Sequence, residues 1–158
     1  MTHVNPVLLA ESIANDTGHD VEITCECELD EQWSYVQNKD DQRWLWHVLD
    51  KASNRLLAYV IGPHTDTVFE ELYALLAPFR ITHYDTDGWA TYQKYLPPDK
   101  HTVSKRGTQR IERKHLNFRT RLKRLARKTI CFSKNCRMHD LVIGLFINRY
   151  EFGLEGQI

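Results

Sequence analysis

The chain has 158 residues, 42% hydrophobic and 27% charged. That is about one domain's length, enough to bury a core of its own, and the composition excludes a wholly disordered chain. No apolar run approaches the ~18 residues of a membrane helix. Val7-Leu8-Leu9-Ala10, with no early Lys or Arg, is not a secretory signal, so a reducing, cytoplasmic setting with four free thiols is expected. The zero net charge conceals an asymmetry. Residues 1–99 carry 6 Lys and Arg against 17 Asp and Glu, whereas residues 100–137 carry 14 against the single acid Glu112. Such a basic stretch suits a polyanion; the alternative is a basic helix face neutralised by the acidic half of the same fold.

Residues 1–20 show no sustained period and read as an irregular lead-in or linker before a domain over 21–152, with a tail at 153–158. From Val21 the pattern turns to period two: Val21, Ile23, Cys25, Cys27 and Leu29 alternate with Glu22, Glu26, Glu28 and Asp30. That predicts a strand with one buried and one polar face, placing Cys25 and Cys27 in the core. It runs on through Trp33 and Tyr35 to a turn over Gln37–Asp41. Arg43–Leu49 and Leu56–Ile61 read as the next strands, the latter stopped by Gly62-Pro63. A helix is expected over Thr65–Ala77, with Thr67 and Glu70 spaced as a capping box. Ile81–Tyr84 makes a fourth strand running into Asp85-Thr86-Asp87-Gly88. A short helix over Trp89–Tyr95 stops at Pro97-Pro98, and His101–Ser104 has the pattern of a fifth strand. Long helices follow over Thr108–Lys128 and Met138–Tyr150. This order argues an α/β fold with a mixed sheet of about five strands flanked by helices. No zinc site is spelled by the cysteines: Cys25 and Cys27 are too close, and Cys131 and Cys136 lack a second pair.

Three carboxylates stand out by position. Asp30 lies on or just after the first strand. Asp87 follows the fourth, where ligand crevices of open α/β sheets form. Glu112 is the lone acid of the basic stretch. At ~100° per residue, Ile111, Phe118, Leu122, Leu125 and Ala126 share one side of the long helix and most cations the other. Glu112 and Arg119 fall on the border, with His115 a little further in. A carboxylate there can turn toward the sheet edge; an intrahelical salt-bridge network is the alternative. Carboxylates converging beside a basic surface are the setting for Mg²⁺, a hard ion that takes oxygen ligands and serves phosphoryl displacement.

Leu29-Asp30-Glu31-Gln32-Trp33, Thr86-Asp87-Gly88-Trp89 and Ser104-Lys105-Arg106-Gly107-Thr108-Gln109-Arg110-Ile111-Glu112-Arg113 resemble the catalytic half of bacterial insertion-element transposases. The likeness is to the insertion sequence 1 family and runs from about residue 25 to 150. The spacing carries it: 24 residues separate Asp87 from Glu112, and Arg119 follows seven after Glu112. The resemblance implies an RNase H-like fold and DDE-type chemistry, with Asp30, Asp87 and Glu112 as catalytic metal ligands. It implies Mg²⁺, with Mn²⁺ as a substitute, nicking at the element's ends, and attack of the freed 3′-hydroxyl on target DNA. Asp85 is the competing choice for the second ligand. Lys105, Arg106, Arg110, Arg113, His115, Arg119 and Trp89 are the expected DNA contacts, although Trp89 and His115 also suit packing roles. The resemblance also implies a bacterial, nucleoid-associated protein that acts as a homo-oligomer on DNA, and an active family protein larger than this domain. That larger protein carries an upstream zinc-finger and helix-turn-helix half, for which no Cys-x2-Cys pair is present here. The rival readings are a hydrolytic nuclease using the same trio and a non-catalytic DNA-binding or inhibitory fragment.

Overall fold

A computed structural model of the chain describes residues 24–126 and 133–153. The expected lead-in over 1–20, Cys131, Arg127, Lys128 and all of the tail but Gly153 lie outside them. The element order is β1 (Thr24–Val36), β2 (Asn38–Asp50), β3 (Leu56–Gly62), α1 (Asp66–Ala74), β4 (Arg80–Thr86), α2 (Ala90–Tyr95), β5 (His101–Val103), α3 (Gln109–Arg121) and α4 (Cys136–Phe152). The sheet runs β3-β2-β1-β4-β5. β1 pairs antiparallel with β2 and parallel with β4, and β4 pairs parallel with β5. This is the expected five-stranded mixed sheet. No described helix is long and apolar enough to cross a membrane.

Both faces of the sheet are covered. Under α1 and α2, Cys25, Cys27, Leu29, Trp46 and Val60 pack with Phe69, Leu72 and Tyr92. Under α3 and α4, Leu45, Tyr59 and Ile61 pack with Phe118, Leu122, Ile143 and Ile147. Cys25, Cys27 and Cys136 are free thiols, the first two buried as expected.

Double coverage corrects one expectation. The polar side of β1 does not meet water but lies beneath α3 and α4, so Glu28 is only 1% exposed and Gln32 and Ser34 are also buried. The Glu28 carboxylate finds its partners at the start of α3. Its Oε2 accepts the Ile111 N–H at 2.8 Å and its Oε1 the Arg110 guanidinium at 3.2 Å. A helix's first N–H groups have no partner within the helix, so an acid there satisfies a donor and meets the positive end of the dipole. Strand β1 thereby fixes where α3 begins.

The other corrections are local. The first hairpin needs no five-residue turn: Gln37 alone, at φ 62°, separates the strands. The capping box at Thr67 does not form. Helix α1 starts earlier, with Thr65 at its N-cap and no side-chain cap bond. The long helix stops at Arg121, Leu122 is extended, and a 3₁₀ turn covers Lys123–Leu125. The break lets Leu125 enter the core and carries Arg124 to Ser133. Helix α4 runs to Phe152, beyond Tyr150, and closes at Gly153, φ 65°, a left-handed position that glycine favours.

A buried hydrogen-bonded chain ties α4 to the sheet. Ser34 Oγ donates to the Arg43 carbonyl at 3.3 Å, so it accepts from His139 Nε2–H at 2.8 Å. That leaves Nδ1 to accept from the Ser133 hydroxyl at 2.7 Å, and Ser133 accepts from Arg124 at 2.8 Å. Burial lowers the His139 pKa to about 4. A histidine held neutral in the fold contributes stability present above its unfolded value near 6.5 and lost as pH falls toward about 4. His139→Gln should cost about 1–3 kcal/mol at pH 7.5, the range for a broken buried hydrogen bond. Its thermal midpoint should also fall less steeply than that of the parent between pH 6.5 and 4, as followed by circular dichroism.

Candidate active site

The parallel ladder of β1 and β4 ends at the pair Leu29 and Thr86. The next residue on each chain is Asp30 and Asp87. Strand β4 stops there because Asp87 begins a turn, its Oδ1 accepting the Trp89 N–H at 3.0 Å. Strand β1 continues past that end, which leaves Asp30 and Glu31 alongside the opening. Ligand oxygens of Asp30, Glu31 and Asp87 all lie within 4.8 Å of one another.

Each acid is held in its own way. Asp30 Oδ1 accepts the Glu31 N–H at 2.8 Å, and Oδ2 lies 3.7 Å from His115 Nδ1. Glu31 points to the opposite side of β1. Its Oε1 accepts from His64 Nε2–H at 2.9 Å and its Oε2 from the Tyr92 hydroxyl at 2.5 Å. The His64 ring is boxed by Trp44, Trp46 and Trp89, with centroids at 4.1, 5.0 and 4.3 Å. Burial first, and then the neighbouring charge of Glu31, pushes the Asp30 carboxyl up to about 8; Asp87 and Glu112 act in the same sense. Burial also raises Glu31, against the hydrogen bonds from Tyr92 and His64.

This donor set fits a divalent cation. The three converging groups are all carboxylates, the hard oxygen donors that Mg²⁺ takes. Burial and neighbouring negative charge oppose ionisation of Asp30 and Glu31, and a bound cation reverses that penalty.

Two of the three expected ligands, Asp30 and Asp87, therefore stand together. Glu112 does not join the tight group: it lies exposed in the first turn of α3, close enough for its charge to act on Asp30. It forms no salt bridge with another described residue, so the intrahelical network has no support. Asp85, the competing acid, is occupied elsewhere. It is buried, pairs with Lys51, and lies where a side chain on Gly107 would put a Cβ 2.5 Å from its Oδ1.

The residue 23–153 stretch matches the family model described as IS1 transposase. The chain belongs to the IS1 transposase family. It is 52% identical over 126 residues to the insertion element iso-IS1n protein InsB of Shigella dysenteriae, covering 80% of this chain and 96% of that protein. It is 46% identical over 131 residues to the insertion element IS1 4 protein InsB of Escherichia coli K12, covering 83% and 77%. The α/β architecture is accordingly the RNase H-like one of DDE transposases.

In this transposase-family chain the expected DNA contacts divide into two groups. Lys105, Arg106, Arg110 and Arg113 are exposed, on the loop before α3 and its first turns. His115 is not available to DNA: it is 4% exposed, its ring edge-on to His47 at 4.6 Å. Trp89 is half-buried and packs against Trp46, His64 and Tyr92, the packing alternative for that residue. Arg119 is half-buried near His115, whose pKa falls to about 2 through burial first, with His47 and Arg119 adding to it.

Sequence reasoning missed Glu28 and Glu31. The alternation of β1 assigns Glu31 to the face away from Asp30, and only the early end of β4 lets a residue of that face reach Asp87. Adjacency to Asp30 was the one signal available. Because ionisation of Asp30 is opposed in the fold, its neutral form contributes stability that is lost as pH rises through about 8. Asp30→Asn should therefore raise the thermal midpoint of the metal-free protein by a few degrees at pH 9 and little at pH 5, in melts run with EDTA.

Proposed function

We propose that this chain is the catalytic part of a transposase, performing Mg²⁺-dependent DNA strand cleavage and strand transfer. The observation that carries this reading is the convergence of Asp30 and Asp87, from adjacent parallel strands, beside a helix whose outer side is basic. Asp30 and Asp87 would hold the ion and Glu31 would offer a third oxygen from across the strand, while Glu112, on α3, is near enough for its charge to act on Asp30. Divalent ions bound there would activate a water or a 3′-hydroxyl and stabilise the leaving oxygen of an in-line displacement.

The remaining work falls to the chain's own residues. Lys105, Arg106 and Arg113 hold the DNA backbone by phosphate contacts, which position a duplex without reading its sequence. Arg110 is shared with Glu28, so its contribution is to orient α3 as much as to bind DNA. Arg119 brings a cation to the inner border of α3, near His115. Reading of the element's ends would rest with an upstream recognition half, and the transposon ends, the target and further copies of the chain are the expected partners.

The test compares the parent and Asp87→Asn, each joined to such a half, on DNA bearing an element end. Nicking in Mg²⁺ or Mn²⁺ should fall by about 10³-fold, the several kcal/mol that metal-ion charge stabilisation contributes. The salt-dependent binding of the same DNA, read by gel shift, should stay within about twofold. Nicking that survives in the variant contradicts the metal reading. A parent that binds but never nicks favours the non-catalytic fragment.

A further inference from the structure

Buried polar atoms without a hydrogen-bond partner are rare in folded proteins and call for an explanation wherever they occur. Among the described residues, Gln32, Trp46, His47 and His115 carry such atoms. They all surround the start of the site. Gln32 lies two residues beyond Asp30 on the same face of β1; His47 pairs with Asp30, and Trp46 with Glu31, across the β1–β2 ladder. His115 approaches from α3.

His115 is the informative member. Its imidazole is almost fully buried, and Nε2 has no partner. Nδ1 faces one acceptor, Asp30 Oδ2, at 3.7 Å, just outside hydrogen-bond range. The His47 ring abuts it edge-on at 4.6 Å, and the Phe118 ring lies 5.8 Å from His47, so the imidazole plane is set by packing. A leucine would fill this interior position without stranded nitrogens. An imidazole turned toward a carboxylate that has one oxygen already occupied is what a supporting residue behind a metal ligand looks like. Such groups fix a ligand's orientation and raise its basicity.

We infer that His115 is a positioning residue for Asp30: its Nδ1–H donates to Asp30 Oδ2 and aligns that carboxylate for a divalent cation, while His47 holds the imidazole in plane. The inference rests on the metal reading given above. It also replaces the expected role of His115 at phosphate with one inside the site.

The experiment measures Mn²⁺ affinity of the full chain by calorimetry, alongside melts in EDTA, for His115→Leu, His115→Asn and His115→Gln. Asn keeps an N–H donor at the branch position of Nδ1, and Gln moves it one bond further out. His115→Leu should weaken Mn²⁺ binding by about 10–100-fold without lowering the metal-free thermal midpoint. Asn should stay within a few-fold of the parent, and Gln should fall with Leu. The inference is overturned if Leu binds Mn²⁺ as the parent does, or if Asn falls as far as Leu. Should Leu fail to fold, the Asn–Gln pair decides: Asn binding about tenfold tighter supports the role, and equal affinities refute it. Asp30→Asn separates the two levels. Unchanged Mn²⁺ binding in that variant removes the metal reading itself. Its loss there, with His115→Leu still at parental affinity, removes this inference alone.

Discussion

The parallel pairing of β1 with β4 is the constraint from which the rest of the site follows. It ends at Leu29 and Thr86, so the two aspartates come next on neighbouring chains. Strand β4 then turns away while β1 continues, so Asp30 and Glu31, from opposite faces of β1, both come within reach of Asp87. A one-residue slip in that register would send Asp30 to the face of Cys27 and Leu29 and dissolve the cluster. The apolar run Cys25, Cys27, Leu29 against α1 and α2 prevents the slip, because a one-residue shift would take it out of that contact and put Glu26 in its place.

Helix α3 is the second element that matters, and Glu28 fixes its place. The same strand thus supplies a carboxylate to a helix N-terminus and, two residues on, one to the cluster. Coverage of both sheet faces makes this possible. Half-solvated, Glu28 would have no reason to seek Ile111 N–H; fully buried, it must be satisfied. The charge asymmetry takes on a spatial meaning here. The acids near the opening are inward and crowded, whereas Lys105, Arg106 and Arg113 face out, so a polyanion is drawn to the rim while cations are favoured within.

Much of this could be read from residues alone. Period two located β1, strand ends singled out Asp30 and Asp87, and helical angles placed Ile111 and Phe118 inward with Arg119 at the border. Other parts depend on tertiary detail that no local pattern carries. Glu31 reaches the site only because β4 is shorter than β1 on that side. The break at Leu122 answers to the core and to Ser133 rather than to propensity, since Arg121-Leu122-Lys123-Arg124 is locally good helix. Trp89 reads equally as a base-stacking platform or a packing residue until Trp46 and His64 are seen against it. The polar side of β1 reads as solvated until two helices are found on top of it.

The most direct measurement of the central claim is anomalous X-ray scattering from crystals of the protein equilibrated with Mn²⁺. The account predicts a peak bonded to carboxylate oxygens of both Asp30 and Asp87, at about the 2.0–2.2 Å of a hard divalent ion. A fully occupied Mn²⁺ elsewhere on the chain, with nothing between those two aspartates, would contradict it.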